Sequence, residues 1–305
     1  MKTKFVLSGL IFLMFFVVSA CSQGQFDAEK DFTVEIINDG KGVEIIRYNG
    51  DNKIVQIPPQ IKNLPVTVIG DEAFYKKKLT GVTIPGSVTD IKDDAFRDNL
   101  LTNIIIPHSV TYIGNGAFRG NRLTSVAIPD SVTDIGAGAF AENKLTSVTI
   151  PNSVTSIGDH AFEDNQLTSV FIPNNVVSIG NQAFQNNQLT NVTIPRGVTS
   201  IGESAFAQNN LTSVIIPNNV TSIGEWAFGD NNLAEVTISH GVASIGWGAF
   251  WNNPLTSVII GANVTLEKGK TPVFDHEVDD FYRKNGRKAG TYIYSDDKWR
   301  SQSQQ

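Results

Sequence analysis

The sequence has a single cysteine, Cys21, so no intrachain disulfide can form and the fold must be stabilised by packing. It has 24 basic and 30 acidic residues and a formal net charge of −6. This acidic balance argues against nucleic acid as a partner, because no basic face exists to release the counterions bound to the nucleic acid. Outside residues 5–18 no stretch of about 18 residues is apolar enough to span a bilayer.

What the sequence has instead is a period of 22 residues without insertions. A leucine recurs at this period, at Leu79, Leu101, Leu123, Leu145, Leu167, Leu189, Leu211, Leu233 and Leu255. A phenylalanine preceded by alanine recurs at Phe74, Phe96, Phe118, Phe140, Phe162, Phe184, Phe206, Phe228 and Phe250. A fixed period of this length predicts a mainly β repeat solenoid, in which each unit buries its apolar side against its neighbours.

One unit, residues 167–188, shows the expected local structure. Its first segment alternates as a strand does, so Val170 and Ile172 should face the core while Phe171 faces out. Pro173 should end this strand, since proline offers no N–H. A second short apolar segment and an Ala-Phe pair follow, and we expect the pair to turn the aromatic ring between the two segments.

Stacking of such units should produce columns of identical side chains about 4.8 Å apart. The phenylalanines would form a continuous aromatic spine. An asparagine two residues before each leucine should satisfy the buried backbone of the next repeat. These asparagines are Asn99, Asn121, Asn143, Asn165, Asn187, Asn209, Asn231 and Asn253.

The unit L-x-x-V-x-I-P-x-x-V-x-x-I-G-x-x-A-F-x-x-N-x resembles the leucine-rich repeats of the BspA-like class, also called the Treponema pallidum type. The resemblance spans residues 54–260 in nine near-identical copies. It implies a right-handed, curved array of parallel strands on a bacterial surface. It also implies adhesion to host proteins or to other cells.

The N-terminus has the pattern of a secretory signal. Residues 1–20 combine Lys2 and Lys4 with an apolar run and a small-residue cleavage site, and their removal takes the net charge from −6 to −8 (−6 − 2). The sequence V-S-A-C ending at Cys21 resembles a bacterial lipobox, which implies acylation of this cysteine and a lipid anchor in the cell envelope. By the same resemblance, Ser22 favours the outer membrane. The alternative is an ordinary signal peptide followed by a coincidental cysteine.

The rest of the chain divides into caps and repeats. We expect a β-hairpin cap before the array and a helix-plus-hairpin cap after it, and a loop in the insertion between Pro58 and Val66. Asp275 is expected to cap the helix, whose apolar face would include Phe274. The predicted boundaries are a signal peptide at 1–20, a lipidated tether at 21–31, the N-terminal cap at 32–53, the solenoid at 54–260, the C-terminal cap at 261–300 and a disordered tail at 301–305.

No constellation of catalytic or metal-binding residues is predicted. His108 and His240 occupy one repeat position six units apart, which places them about 29 Å from each other at the strand spacing. His160 and His276 lie elsewhere in the period, and Cys21 is at the anchor. We therefore expect no enzyme and no cofactor.

The exposed positions of the first segments form one candidate partner-binding surface. Apart from Glu235 they are uncharged, and they are rich in Ser and Thr; the candidate residues are Ile105, Phe171, Thr193, Ile215 and Ile259. A protein ligand, such as a host matrix or cell-surface protein, would explain these apolar residues. Sheet propensity explains them equally well, because Thr, Ile and Phe suit a pleated strand.

A second candidate surface is aromatic and comprises Trp226, Trp247 and Trp251. Tryptophan is enriched in binding hot spots, but packing against the C-terminal cap is the alternative. Three functional hypotheses follow: a lipid-anchored protein-binding adhesin, a structural or self-associating envelope component, and a glycan-binding module that uses the tryptophans.

Overall fold

The computed structural model describes residues 26–274 and 277–302. The predicted signal peptide, Cys21, the predicted helix cap Asp275 and residues 303–305 lie outside the described residues. Within the described part of the chain, no helix is both long and apolar enough to cross a membrane.

The described chain is built almost entirely from short strands. One α-helix, α1, spans Val278–Lys284, and two 3-10 helices span Glu29–Asp31 and Asn38–Gly40. The strands are β1 (Phe32–Ile37), β2 (Gly42–Tyr48), β3 (Ile54–Gln56), β4 (Gln60–Ile61), β5 (Leu64–Ile69), β6 (Gly81–Thr83), β7 (Asp90–Ile91), β8 (Tyr112–Ile113), β9 (Ser125–Ala127), β10 (Asp134–Ile135), β11 (Ser147–Thr149), β12 (Ser156–Ile157), β13 (Ser178–Ile179), β14 (Ser200–Ile201), β15 (Ser213–Ile216), β16 (Ser222–Ile223), β17 (Glu235–Ile238), β18 (Ser244–Ile245), β19 (Ser257–Ile260), β20 (Thr265–Leu266), β21 (Gly290–Ser295) and β22 (Lys298–Gln302).

The repeats stack in parallel and in register, which confirms the predicted solenoid. The second segments form one long sheet of 13 strands, in the order β1-β2-β5-β7-β8-β10-β12-β13-β14-β16-β18-β20, with β4 beside β5. In this second layer Ser178 pairs with Ser200 and Ile179 with Ile201.

The first segments form a discontinuous layer, although their alternation predicts strands throughout. This first layer is divided into β3–β6, β9–β11 and β15–β17–β19, the last of which continues into β21 and β22. Proline removes a donor at the end of each regular first segment. The glycine that closes the second segment instead adds a donor: Gly180 N–H donates to the Ile157 carbonyl over 3.0 Å.

An unbroken stack of aromatic rings runs through the core. Phe162 and Phe184 are representative, with centroids 5.5 Å apart and planes inclined by 9°. The stack is longer than predicted, since Tyr48 lies on Phe74 at 5.4 Å and Phe274 lies on Phe250 at 5.1 Å. Phe274, which the sequence places on the apolar face of the C-terminal helix, instead carries the core of the array into the cap.

The buried asparagines bond backward along the array and not forward as predicted. Asn165 Nδ2 donates to the carbonyls of Phe140, at 3.0 Å, and of Phe162, at 3.2 Å. Its Oδ1 accepts from Leu145 N–H at 2.9 Å. The Phe140 carbonyl and the Leu145 N–H of the preceding repeat face the repeat that contains Asn165. Each asparagine therefore joins its own turn to the one before it.

The N-terminal cap is a hairpin in which β1 runs antiparallel to β2, and it starts earlier than residue 32. Asp27 N–H donates to the Gln56 carbonyl at 3.0 Å, and Gln56 N–H donates to Asp27 Oδ2 at 2.7 Å. The insertion predicted as a loop is a small hairpin of β4 and β5. Lys62 and Asn63 form its turn with φ of 55° and 61°, as a tight two-residue turn requires.

The C-terminal cap consists of α1 and the hairpin of β21 and β22, as predicted. Tyr282 of α1 donates its hydroxyl to the Gly261 carbonyl at 2.7 Å and accepts Val264 N–H at 3.1 Å. Strand β21 pairs antiparallel with β19 and closes the first layer. Strand β22 reaches Gln302, so the first two residues of the predicted disordered tail belong to the sheet.

Candidate binding face

The outward positions of the first layer expose large apolar side chains. In β15 the burial alternates, so that Val214 and Ile216 enter the core and Ile215 points out. Ile105 is 84% exposed, and Phe171 and Ile215 are each 68% exposed. Thr193, between Phe171 and Ile215 in the same column, is also exposed. We call this column, at residues 105, 171, 193 and 215, the binding face.

Ile259 is less available than the sequence suggests. It pairs with Thr237 on one side and with Thr291 of the C-terminal hairpin on the other. The hairpin leaves it only partly exposed. The binding face therefore stops before the C-terminal cap, and we do not include Ile259 in it.

A groove interrupts the binding face where the first layer has no strand. Residues 191–194 are not assigned to a strand, and no described hydrogen bond joins their backbone to a neighbouring repeat. The opening has a volume of about 690 Å³. It is lined by Asn174, Asn191, Val192, Thr193, Ile194, Pro195, Arg196, Ser213, Val214, Ile215 and Pro217.

The turn beside this groove departs from the repeat. In an earlier turn Ser153 Oγ donates to the Val132 carbonyl at 2.6 Å and ties two repeats together. Gly197 occupies this position in the later turn, and a Cβ there would collide with the Asn174 carbonyl. The preceding residue, Arg196, is exposed, and no ion pair involving it is found among the described residues. Our sequence reasoning missed this pair, although an Arg-Gly between the Asn-Asn pairs at 174–175 and 218–219 is visible in the sequence.

Two of the three tryptophans pack against glycines. Trp226 and Trp247 meet edge to face with centroids 6.1 Å apart. A Cβ added to Gly248 would lie 2.9 Å from the Trp226 ring, and one added to Gly269 would collide with Trp247. Trp251 is partly buried. This geometry supports packing of Trp226 and Trp247 as their role, so we do not include the tryptophans in the binding face.

The carboxylates on the turns of the array serve the backbone. Asp71 Oδ1 accepts Asp93 N–H at 3.0 Å, and Asp93 Oδ1 accepts Asn115 N–H at 2.8 Å. In the caps, burial raises the pKa of Tyr48 to about 12, with the nearby Asp27 charge adding to the effect. Burial also raises the pKa of Asp279, which accepts two backbone N–H groups. These groups hold the structure together and do not converge on one cavity.

The three described histidines lie in different turns, and His276 is outside the described residues. His160 bonds to Glu163 at 2.8 Å, whereas His108 and His240 are exposed in other turns. Among residues 26–274 and 277–302, no group of three or more His, Cys, Asp or Glu side chains is placed to hold a metal ion.

Comparison with known proteins identifies the family. The profile of the BspA type leucine rich repeat region, in 6 copies, matches residues 59–168 and 155–270. The chain belongs to the BspA type of leucine-rich repeat proteins. No match to this BspA-type chain was found among curated proteins.

Solved structures of bacterial leucine-rich repeat proteins have a similar fold. A protein from Bacteroides ovatus superposes with a TM-score of 0.56 at 24% identity, over 76% of this chain and 70% of that one. The pneumococcal vaccine antigen PcpA gives 0.54 at 19% identity, over 76% and 80% of the two chains. A protein from Eubacterium ventriosum gives 0.51 at 21% identity, over 77% of each chain.

Proposed function

We propose that this BspA-type chain is a lipid-anchored scaffold on the bacterial surface that binds a protein of a host or of a neighbouring cell. The observation that carries the proposal is the exposure of Ile105, Phe171 and Ile215 on an otherwise small, uncharged column. Large apolar side chains exposed along one column of the array are typical of protein-interaction surfaces. The V-S-A-C sequence ending at Cys21, which resembles a lipobox, supports attachment to the cell envelope.

The binding face is tested by returning its apolar residues to the threonine found elsewhere in the column. Cells that display the full chain with Phe171→Thr and Ile215→Thr should adhere at least tenfold less to immobilised fibronectin, laminin or collagen. Threonine retains the sheet propensity, so such a loss would come from the missing apolar contacts.

Val177→Thr is the matched control. Val177 is 51% exposed beside the second layer, and threonine occupies the equivalent position in neighbouring repeats. This variant should adhere like the wild type. Equal adhesion of the double variant and the wild type would reject the binding face, and concentration-dependent assembly of the purified chain would favour the self-associating alternative.

The anchor is tested separately at Cys21. The wild-type chain should incorporate radiolabelled palmitate and sediment with membranes, because several acyl chains on one residue hold a protein firmly. Cys21→Ser should remove both the label and the sedimentation. A labelled Cys21→Ser variant, or an unlabelled wild-type chain, would contradict the anchor.

A further inference from the structure

We infer that the groove at residues 191–196 binds an acidic segment of the partner protein, with a carboxylate on Arg196 and an aliphatic side chain beside Ile215. This inference rests on the proposed function and specifies the chemistry of the ligand. Three properties of the groove support it: its charge, its apolar floor and its departure from the repeat.

The charge of the groove is opposite to that of the molecule. Arg196 is the only charged residue in the lining, within a chain of net charge −6. The carboxylate of Glu235 belongs to the next repeat, where this residue pairs with Ser213, and it is outside the lining. An exposed guanidinium without a described ion pair presents a planar fork of donors that suits a carboxylate.

The floor of the groove provides apolar contact and the walls provide polar contact. Val192 and Val214 lie at 8% and 3% exposure beneath it, and Ile215 stands at its edge. The exposed amides of Asn174 and Asn191 lie in the same lining and can donate to and accept from a peptide backbone. Together these groups match a short segment in which an aliphatic residue lies close to Asp or Glu.

The groove also lies where the array lacks two kinds of contact between repeats. Residues 191–194, like residues 103–106, lack the backbone hydrogen bonds that β15 and β17 make with each other, and Gly197, like Gly241, lacks the tie that Ser153 makes. Arg196 replaces the asparagine of neighbouring turns, and Ile215 replaces the threonine of neighbouring strands. Arg196 provides the charged contact and Ile215 the apolar contact of the same groove. These two departures from the repeat indicate a ligand site.

The experiment selects peptides from a random 12-residue library displayed on phage, using the full-length chain as bait. Selected peptides are then synthesised with a fluorescent label and titrated by fluorescence polarisation. We expect enrichment of Asp or Glu next to aliphatic residues. Arg196→Asn should weaken these peptides about tenfold, since a charge-assisted hydrogen bond contributes on this scale.

Three comparison variants give the experiment its specificity. Arg122→Asn removes an exposed arginine far from the groove and should bind like the wild type. Arg196→Lys should retain part of the affinity, because the charge stays while the planar fork is lost. Ile215→Thr should weaken the same peptides, since Ile215 is part of the proposed site. An unchanged thermal midpoint of Arg196→Asn would show that the loss is not due to unfolding.

The outcomes separate this inference from the proposed function. Peptides without acidic enrichment, no selected peptide at all, or equal binding by Arg196→Asn would overturn the acidic groove. In that case the loss of adhesion on changing Phe171 and Ile215 would still support the binding face. If adhesion also survived those changes, both proposals would fall.

Discussion

At the scale of single residues, the buried asparagines link neighbouring repeats through backbone hydrogen bonds. The Asn165 side chain bonds to three backbone carbonyls and one backbone N–H. We predict that Asn165→Ala lowers the free energy of unfolding by about 3 kcal/mol, because buried backbone groups lose their partners. Urea denaturation followed by circular dichroism measures this change.

Asn152→Ala provides the comparison for this prediction. Asn152 is exposed, and its side chain has no described hydrogen bond. Its replacement should change the unfolding free energy by less than about 0.5 kcal/mol. Similar losses in the two variants would mean that the asparagine column does not stabilise the array.

The sequence predicts which residues form columns, but not all of their contacts. The period alone places Phe162 and Asn165 in the core, since each recurs in every regular unit. It does not reveal that Asn165 bonds to the preceding repeat, because this depends on which way the turn orients its carbonyls. The role of Arg196 was likewise missed, since a single departure from a repeat becomes meaningful only when the opening beside it is seen.

At the scale of elements, the two segments of a repeat differ in sequence and in the fold. The first alternates apolar residues, so the pattern predicts a strand there, whereas the second has the spacing V-x-x-I and is predicted only as a short apolar segment. The closing glycine of the second segment donates one more hydrogen bond to its ladder, whereas the proline that closes the regular first segments cannot donate one. The continuity of the second layer and the groove in the first could not be read from apolar periodicity.

The C-terminal cap depends on one side chain at the end of the array. Tyr282→Phe removes the hydroxyl that joins α1 to Gly261 and Val264. We predict faster amide exchange in residues 255–266, by about tenfold or more, because a lost buried hydrogen bond costs about 1–3 kcal/mol. Hydrogen exchange with mass spectrometry measures it. Amides before residue 167 should be unaffected, and uniform acceleration along the chain would contradict this local role.

At the scale of the whole molecule, each repeat contacts only its neighbours, so a complete unit should be removable. We predict that deletion of residues 167–188 gives a folded, monomeric protein with one ring fewer in the aromatic stack. Its unfolding midpoint should fall only modestly, because Gln166 then precedes Leu189 in an unchanged register. Circular dichroism and size-exclusion chromatography measure both properties.

Deletion of half a unit, residues 167–177, is the control for this prediction. It would place a first segment beside a second segment and break both the aromatic stack and the asparagine ladder. This variant should aggregate or remain unfolded. Equal folding of the two deletions would show that register between repeats does not hold the array together.

The uniform stack of aromatic rings affects how the number of repeats can change by recombination. Recombination between nearly identical coding units adds or removes whole turns, and every new junction already has its bonding partners. Each event would shift the C-terminal cap relative to the N-terminal cap by about one ring spacing, 5.4 Å, and leave both caps intact. The length of the array can thus be altered without selecting a new fold.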